Sequence, residues 1–232
     1  MKSASGLEYK GISEAYGPII VIRNIHNVGF NELVEIRDVK GYLRLGLVLE
    51  SAESMAVVQV LEGTMGLNLP DTKVRFREEP LMLPVSESLM GRVFDGIGRP
   101  IDGGPDPICS ERRDVNGLII NPTSRDYPRK YIQTGISAID GMNTLIRGQK
   151  LPIFSGNGLP HNTIAAQIAR QAKIVGEDTG FAVVFAAMGI KYDAAQFFIR
   201  NFEDSGVLDK VVLFLNLADD PPIERLVTPR AA

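Results

Sequence analysis

The chain has 232 residues, of which 44% are hydrophobic and 23% are charged, a balance typical of a folded protein with one large or two small domains. The net charge of −3 and the isoelectric point near 5.5 do not provide the basic footprint that binding to a phosphate backbone requires, so we expect no nucleic-acid partner. One cysteine and two histidines exclude an internal disulfide and form no recognisable metal-ligand cluster.

Short alternating segments fill the first predicted domain, residues 1–78, and continue to residue 85. The alternation is clearest where Leu43, Leu45, Leu47 and Leu49 share one face of a strand. Because closure removes unpaired edges, so many strands in so few residues predict a small closed antiparallel β-barrel. The predicted strands are PIIVIR, ELVEIRD, YLRLGLVLE, MAVVQVLE, KVRFRE and LMLPV.

A glycine- and proline-rich passage follows at residues 91–109. It contains five glycines and three prolines in nineteen residues, a composition typical of turns. We predict that it connects the two domains without a regular element.

Strands and helices alternate in the second predicted domain, residues 79–232. Apolar runs of strand length and segments with helical periodicity predict a parallel sheet with helices on both faces, where ligands bind at the carboxyl ends of the strands. Because the chain reaches its last residue three strands into this open sheet, we expect the domain to be truncated. The predicted elements are strands at 151–154, 181–187 and 211–217, and helices at 162–174 and 192–205.

The segment SGNGLPHN, residues 155–162, joins the first of these strands to the first helix. Glycine-rich loops at this place bind phosphate through free amides and the helix dipole. Against the pattern G-x-x-x-x-G-K-[ST], Ser155 and Pro160 replace the glycines, His161 replaces the lysine, and Asn162 replaces the hydroxyl residue that would hold magnesium. Pro160 removes an amide donor and His161 is mostly uncharged near neutral pH. The loop alone is therefore better interpreted as a turn that binds nothing.

Four longer segments resemble the N-terminal part of the B subunit of V-type and archaeal A-type ATP synthases. The resemblance runs from about residue 17 to the last residue, and GLPHN in place of GKT is what separates this subunit from its catalytic partner. It implies a β-barrel followed by an incomplete RecA-like P-loop nucleotide-binding domain, with the family's C-terminal helical domain absent. The segments are MGRVFDGIGRPIDGGP, YIQTGISAIDGMNTLIRGQKLPIFSGNGLPHN, FAAMGIKYDAAQFF and LFLNLADDPPIERLVTPR.

The resemblance also implies a role. It describes a regulatory subunit that alternates with the catalytic A subunit in an A3B3 hexamer, contacts central and peripheral stalk subunits, and helps couple ATP synthesis or hydrolysis to proton or sodium transport. Weak or regulatory binding of ATP or ADP is expected at the loop, and a requirement for Mg²⁺ is left open. The expected nucleotide-binding residues are Ser155, Gly156, Asn157, Gly158, Leu159, Pro160, His161, Asn162 and Thr163.

The resemblance places the subunit at the cytoplasmic face of the cell membrane, as a peripheral protein. Its longest apolar run, residues 181–190, is shorter than the ~18 to 20 residues that a membrane span needs. We therefore expect contact with the membrane only through the rest of the complex.

No catalytic residue is expected. The catalytic relatives carry a glutamate base within a GER segment, and Gly189, Ile190 and Lys191 stand at the corresponding positions. Ile190 cannot accept a proton from water, so the chain lacks both the loop lysine and the base. We predict that it does not hydrolyse ATP.

Smaller polar clusters have ordinary interpretations. Asp219 and Asp220 are predicted to form a polar turn or to face a metal or a neighbouring subunit. Arg125, Arg129 and Lys130 form a basic cluster that we interpret as solvated or as part of a subunit contact.

Two other classes of ring protein combine a barrel with a RecA-like domain. A nucleic-acid translocase would place stacking aromatics among Lys and Arg on the barrel strands, but these strands are rich in Val, Leu and Ile. An ATPase of a protein-export apparatus would need the lysine that His161 replaces.

Overall fold

The computed structural model of the protein describes residues 8–127, 129–175 and 182–232. Its first half forms a seven-stranded antiparallel sheet with the order β1-β7-β4-β5-β6-β3-β2, so the consecutive strands β1 and β2 lie at opposite edges. The strands are β1 (Glu8–Lys10), β2 (Glu14–Tyr16), β3 (Ile19–Arg23), β4 (Glu32–Arg37), β5 (Leu43–Ala52), β6 (Met55–Val60) and β7 (Lys73–Pro80).

The two edges of this sheet are joined by residues 11–13 alone. The Ile12 amide donates to the Leu69 carbonyl at 2.7 Å, near the β1 edge, and the Ser13 amide donates to the Val21 carbonyl at 2.9 Å, on the β2 edge. So short a connection requires the sheet to curve until its edges lie side by side. The predicted antiparallel barrel is confirmed.

The leucine face of β5 lies outside the barrel. Gly46 and Val48 point to the interior, where a Cβ added to Gly46 would lie 2.7 Å from Val58 Cγ1. Leu43 and Leu49 are exposed, whereas Leu45 and Leu47 pack against the second half of the chain. The alternation that we predicted therefore marks a contact between domains. The cluster around Leu47 also contains Leu61, Leu81, Ile97, Val115 and Val227.

The last strand predicted for the barrel belongs elsewhere. The segment LMLPV forms β8 (Met82–Val85), which pairs with β10 (Glu111–Asp114) in a separate ribbon. Between them lies β9 (Val93–Asp95), so the prediction that the 91–109 passage has no regular element is wrong. In the sequence, turn residues on both sides of Val93 and Phe94 hide the strand pattern. In the structure both side chains are buried, and the strand pairs with a parallel neighbour. The strands β1 and β2 were also not predicted, because they are short and polar.

A three-stranded antiparallel sheet precedes the nucleotide domain core. It has the order β12-β11-β13, and short 3-10 helices at Glu87–Leu89 and Pro122–Ser124 occupy the connections before it. The predicted helix at 162–174 ends at Gln171, where the chain turns into β13 and adds to this sheet. The new elements are β11 (Tyr131–Gln133), α1 (Ser137–Met142), β12 (Leu145–Ile146), α2 (His161–Gln171) and β13 (Lys173–Ile174).

The strand predicted at residues 151–154 does not form. Phe154 is 91% exposed, and the structure assigns this segment no regular element. Pro152 lacks an amide proton, so a strand of four residues would lose one of its few ladder bonds.

The core of the second domain is a parallel sheet with the order β14-β15-β9. It is built from β14 (Val183–Ile190), α3 (Tyr192–Asp204), β15 (Val211–Leu217) and α4 (Glu224–Ala231), and a 3-10 helix at Leu208–Lys210 leads into β15. Val211 and Leu213 pack in the same cluster as Phe198 of α3, whereas Phe214 packs near Ala231 of α4. Helices therefore cover both faces, as predicted.

Residue 181 of the second predicted strand lies outside the described residues, and α4 was not predicted. None of the helices in the described part of the chain is long and apolar enough to cross a membrane.

Candidate functional site

The predicted phosphate loop lies directly before α2. Pro160 occupies the N-cap position with φ −80° and ψ 45°, and no side chain caps the helix. The Leu159 amide donates to the Gly156 carbonyl at 3.4 Å, and the His161 amide donates to the Leu159 carbonyl at 2.9 Å. Gly158 has φ +83°, a conformation that favours glycine. The loop is thus a compact turn at a helix N-terminus, where phosphate binding was predicted.

A hydrogen bond joins the two ends of this loop. Ser155 Oγ and His161 Nδ1 are 3.0 Å apart, and which atom donates depends on the histidine tautomer. The side chain that replaces the P-loop lysine is therefore held by the residue that replaces its first glycine. Because Nδ1 is engaged, only Nε2 stays available to an incoming anion.

The loop lies at the surface. Residues 155–161 and Thr163 are exposed, and Asn162 is half-buried. Free amides at the start of α2 and its dipole fit a phosphate group, but no lysine or arginine stands in the loop itself. Across the described residues, no group of three or more His, Cys, Asp or Glu is arranged to hold a metal ion. The site fits a phosphate weakly.

Ile190 is a packing residue at the carboxyl end of β14. It is half-buried against the apolar cluster beneath α3, and Gly189 before it has φ +66° at a bulge in the pairing with β15. The Ile190 carbonyl accepts from the Ala218 amide at 2.8 Å. Position 190 is therefore occupied by a side chain that stabilises the strand end.

Sequence reasoning missed Arg225, the residue that organises this edge of the sheet. Its Nε donates to Asn216 Oδ1 at 2.7 Å, and its Nη2 donates to the carbonyls of Leu217 at 3.2 Å and Ala218 at 3.1 Å. Arg225 thereby attaches α4 to the carboxyl end of β15. The only available signal was an arginine at the start of a helix after two prolines.

Asp219 and Asp220 follow the end of β15. Asp220 Oδ2 accepts from the Leu217 amide at 2.6 Å, and Asp219 is exposed. The polar turn is confirmed for Asp220. Asp220 also lines a cavity of about 690 Å³ with Asp95, Asp102, Glu203 and Glu224.

Glu224 is the buried acid of this cavity, at 6% exposure. Burial, together with the carboxylates of Asp95, Asp220 and Glu62, raises its pKa to about 7, and Arg99 opposes this shift. Burial also raises the pKa of Asp95. Because the cavity gathers carboxylates, it repels phosphate, and we do not assign nucleotide binding to it.

Basic side chains line a second, open concavity of about 1240 Å³. It contains the predicted cluster of Arg125, Arg129 and Lys130, and the fold adds Arg147 and Lys150. The last two are separated from the others in sequence, so the sequence alone did not associate them.

Two family models match the chain. Residues 12–78 match the beta-barrel domain of the ATP synthase alpha/beta family, and residues 135–232 match its nucleotide-binding domain. Together these matches cover more than two thirds of the chain. The chain belongs to the ATP synthase alpha/beta family. The degenerate loop at 155–163 lies within the part matched to the nucleotide-binding domain. Membership of the ATP synthase alpha/beta family implies assembly into a multisubunit ATP synthase complex.

Proposed function

We propose that the chain is the N-terminal part of the non-catalytic B subunit of a V/A-type rotary ATP synthase. The observation that carries the proposal is the contact between Ser155 and His161 at the start of α2. The two residues in this contact stand where the P-loop pattern has its first glycine and its lysine. They lie within a domain that matches the family's nucleotide-binding domain.

The missing lysine weakens phosphate binding and catalysis. A charge-assisted contact contributes roughly 1.5 to 3 kcal/mol, equivalent to about ten to a hundredfold in affinity. The loop contains no lysine or arginine, and Pro160 supplies no amide donor. Residual amides support weak, regulatory binding of ATP or ADP.

Because the base is missing, no side chain at position 190 orients the attacking water. Phosphoryl transfer depends on cation, metal, water and donors acting together. The Ile190 side chain packs into the apolar cluster beneath α3 and has no atom that can accept a proton from water. The described residues therefore support binding and assembly rather than turnover.

The proposed partners rest on the resemblance to the B subunit. The chain alternates with the catalytic A subunit in an A3B3 hexamer, contacts the central and peripheral stalks, and lies at the cytoplasmic face of the cell membrane through the rest of the complex. The barrel and the nucleotide domain form the contacts of the ring.

A pair of matched histidine variants tests the loop. His161→Lys restores the cation, and His26→Lys is the control because His26 is also exposed and also uses Nδ1, at 2.8 Å from the Glu53 carbonyl. Titration of labelled ATP should show about ten to a hundredfold tighter binding for His161→Lys and no change for His26→Lys. Phosphate release should stay at background in all three proteins. Steady phosphate release by the wild type would contradict the proposal, and unchanged affinity in His161→Lys would show that His161 does not face phosphate.

A further inference from the structure

The fold places two cations opposite each other at the mouth of the basic concavity. Tyr131 of β11 pairs with Ile146 of β12, and the Arg147 amide donates to the Lys130 carbonyl at 2.8 Å. This bond continues the antiparallel ladder, so that Lys130 lies opposite Arg147. Both side chains line the concavity.

Further cations converge on the same concavity from two chain segments. Arg125 follows a 3-10 helix, Arg129 precedes β11, and Lys150 follows the turn after β12. Among the described residues, no hydrogen bond or ion pair engages the side chains of Arg125, Arg129, Arg147 or Lys150. These four side chains are exposed and available to a ligand.

The charge of the concavity is opposite to that of the chain. Five basic residues and one acid, Asp126, line it, whereas the whole chain carries −3. Such a local reversal is not explained by general solvation of a charged surface. The guanidinium groups match the oxygens of phosphate in paired hydrogen bonds.

We propose that this basic concavity binds a chain of linked phosphates, either as inorganic polyphosphate or as the phosphates of a nucleotide. It shares no lining residue with the loop at 155–163, so it is a second anion site. Tyr127, 90% exposed, lines it and offers a ring on which a base can stack. A long nucleic acid is disfavoured because the cations gather in one concavity of an acidic chain and form no extended stripe.

Calorimetric titration of the chain with tripolyphosphate, at about 50 mM salt, tests the proposal. The site variant is Arg125→Gln/Arg129→Gln/Arg147→Gln. The control is Lys40→Gln/Arg112→Gln/Arg200→Gln, which removes the same charge from exposed residues elsewhere. Because each charge-assisted contact is equivalent to about tenfold or more, the site variant should bind at least about thirtyfold more weakly, and the control within about threefold of wild type. Affinity of the wild type should fall when the salt is raised to about 200 mM.

Two further arms identify the ligand and the place. Tighter binding of ATP than of tripolyphosphate, lost in Tyr127→Ala, would support a nucleotide; equal binding would support inorganic polyphosphate. His161→Ala should leave tripolyphosphate affinity unchanged. The proposal is overturned by absent binding, by equal weakening in site variant and control, or by loss of binding in His161→Ala alone. None of these outcomes depends on the rotary-subunit assignment.

Discussion

Arg99 and Glu62 connect the nucleotide domain to the barrel. The Arg99 guanidinium donates to Glu62 Oε1, and Glu62 Oε2 accepts from the Leu45 amide of β5 at 2.8 Å. The Arg99 amide donates to Asp95 Oδ1 at 2.7 Å at the end of β9. A single arginine thus links strands of both domains beside the apolar contact around Leu47.

Replacing Arg99 should destabilise this junction. Arg99→Gln leaves the carboxylates of Glu62, Asp95 and Glu224 without their shared cation, and we expect a loss of about 1 to 2 kcal/mol in the free energy of unfolding. The measurement is urea unfolding at pH 7. Arg23→Gln, which breaks an exposed pair with Glu14, is the control and should cost less than about 1 kcal/mol. Equal losses in both variants would show that Arg99 is only a surface ion pair.

Glu224 should make the protein less stable as pH rises. Its pKa is about 7 in the folded state, above the ordinary value of 4.5, so the folded chain holds a proton that the unfolded chain releases. Stability from this group is complete below about pH 4.5 and declines until about pH 7. Glu224→Gln should therefore be more stable than wild type by roughly 1 to 3 kcal/mol at pH 8, with little difference at pH 4.5. Urea unfolding from pH 4.5 to 8 measures this, and a constant difference across the range would contradict it.

Asp102 should have the opposite pH dependence. The Arg92 guanidinium holds its pKa well below the usual range, and the amides of Val93 and Gly104 donate to the same carboxylate at 3.2 and 3.0 Å. The stabilisation is present above about pH 4 and is lost as pH falls toward the folded pKa. Asp102→Asn should lower the unfolding free energy by about 1 to 3 kcal/mol at pH 7. The deficit should shrink below pH 4 in acid unfolding; a deficit that persists unchanged there would exclude the ionic contact as its cause.

Gly46 should tolerate no side chain. A methyl group there would lie 2.7 Å from Val58 Cγ1 and 3.0 Å from the Gln59 carbonyl, inside the barrel. We expect Gly46→Ala to cost about 1 to 3 kcal/mol, measured as the midpoint of thermal unfolding. Gly29→Ala is the control, because its nearest neighbour, Glu32 Oε2, is at an ordinary 3.7 Å. Equal midpoints for the two variants would show that the barrel interior has room near Gly46.

Periodicity predicted the long elements and failed on the short ones. The helix from Tyr192 and the strand from Val211 form because their apolar residues recur at spacings that no other element satisfies. The strand β9 escaped prediction because its stability comes from a partner more than a hundred residues away. The leucines of β5 predicted a buried face but not which side of the barrel it covers.

The loop was located from sequence, but its internal contact was not. Composition placed Ser155 and His161 at a helix N-terminus, whereas their hydrogen bond depends on the turn at Gly158. Arg225 and the cations around Arg147 act through residues brought together only by the fold. Contacts of this kind leave no periodic pattern in the sequence.

Native mass spectrometry of the full-length subunit that contains this chain, produced together with the catalytic A subunit of its own rotary ATPase, tests the central claim most directly. The proposal predicts an alternating hexamer with three copies of each subunit, and loss of that hexamer when residues 1–78 are deleted. A ring made of this subunit alone, or unchanged hexamers after the deletion, would contradict it.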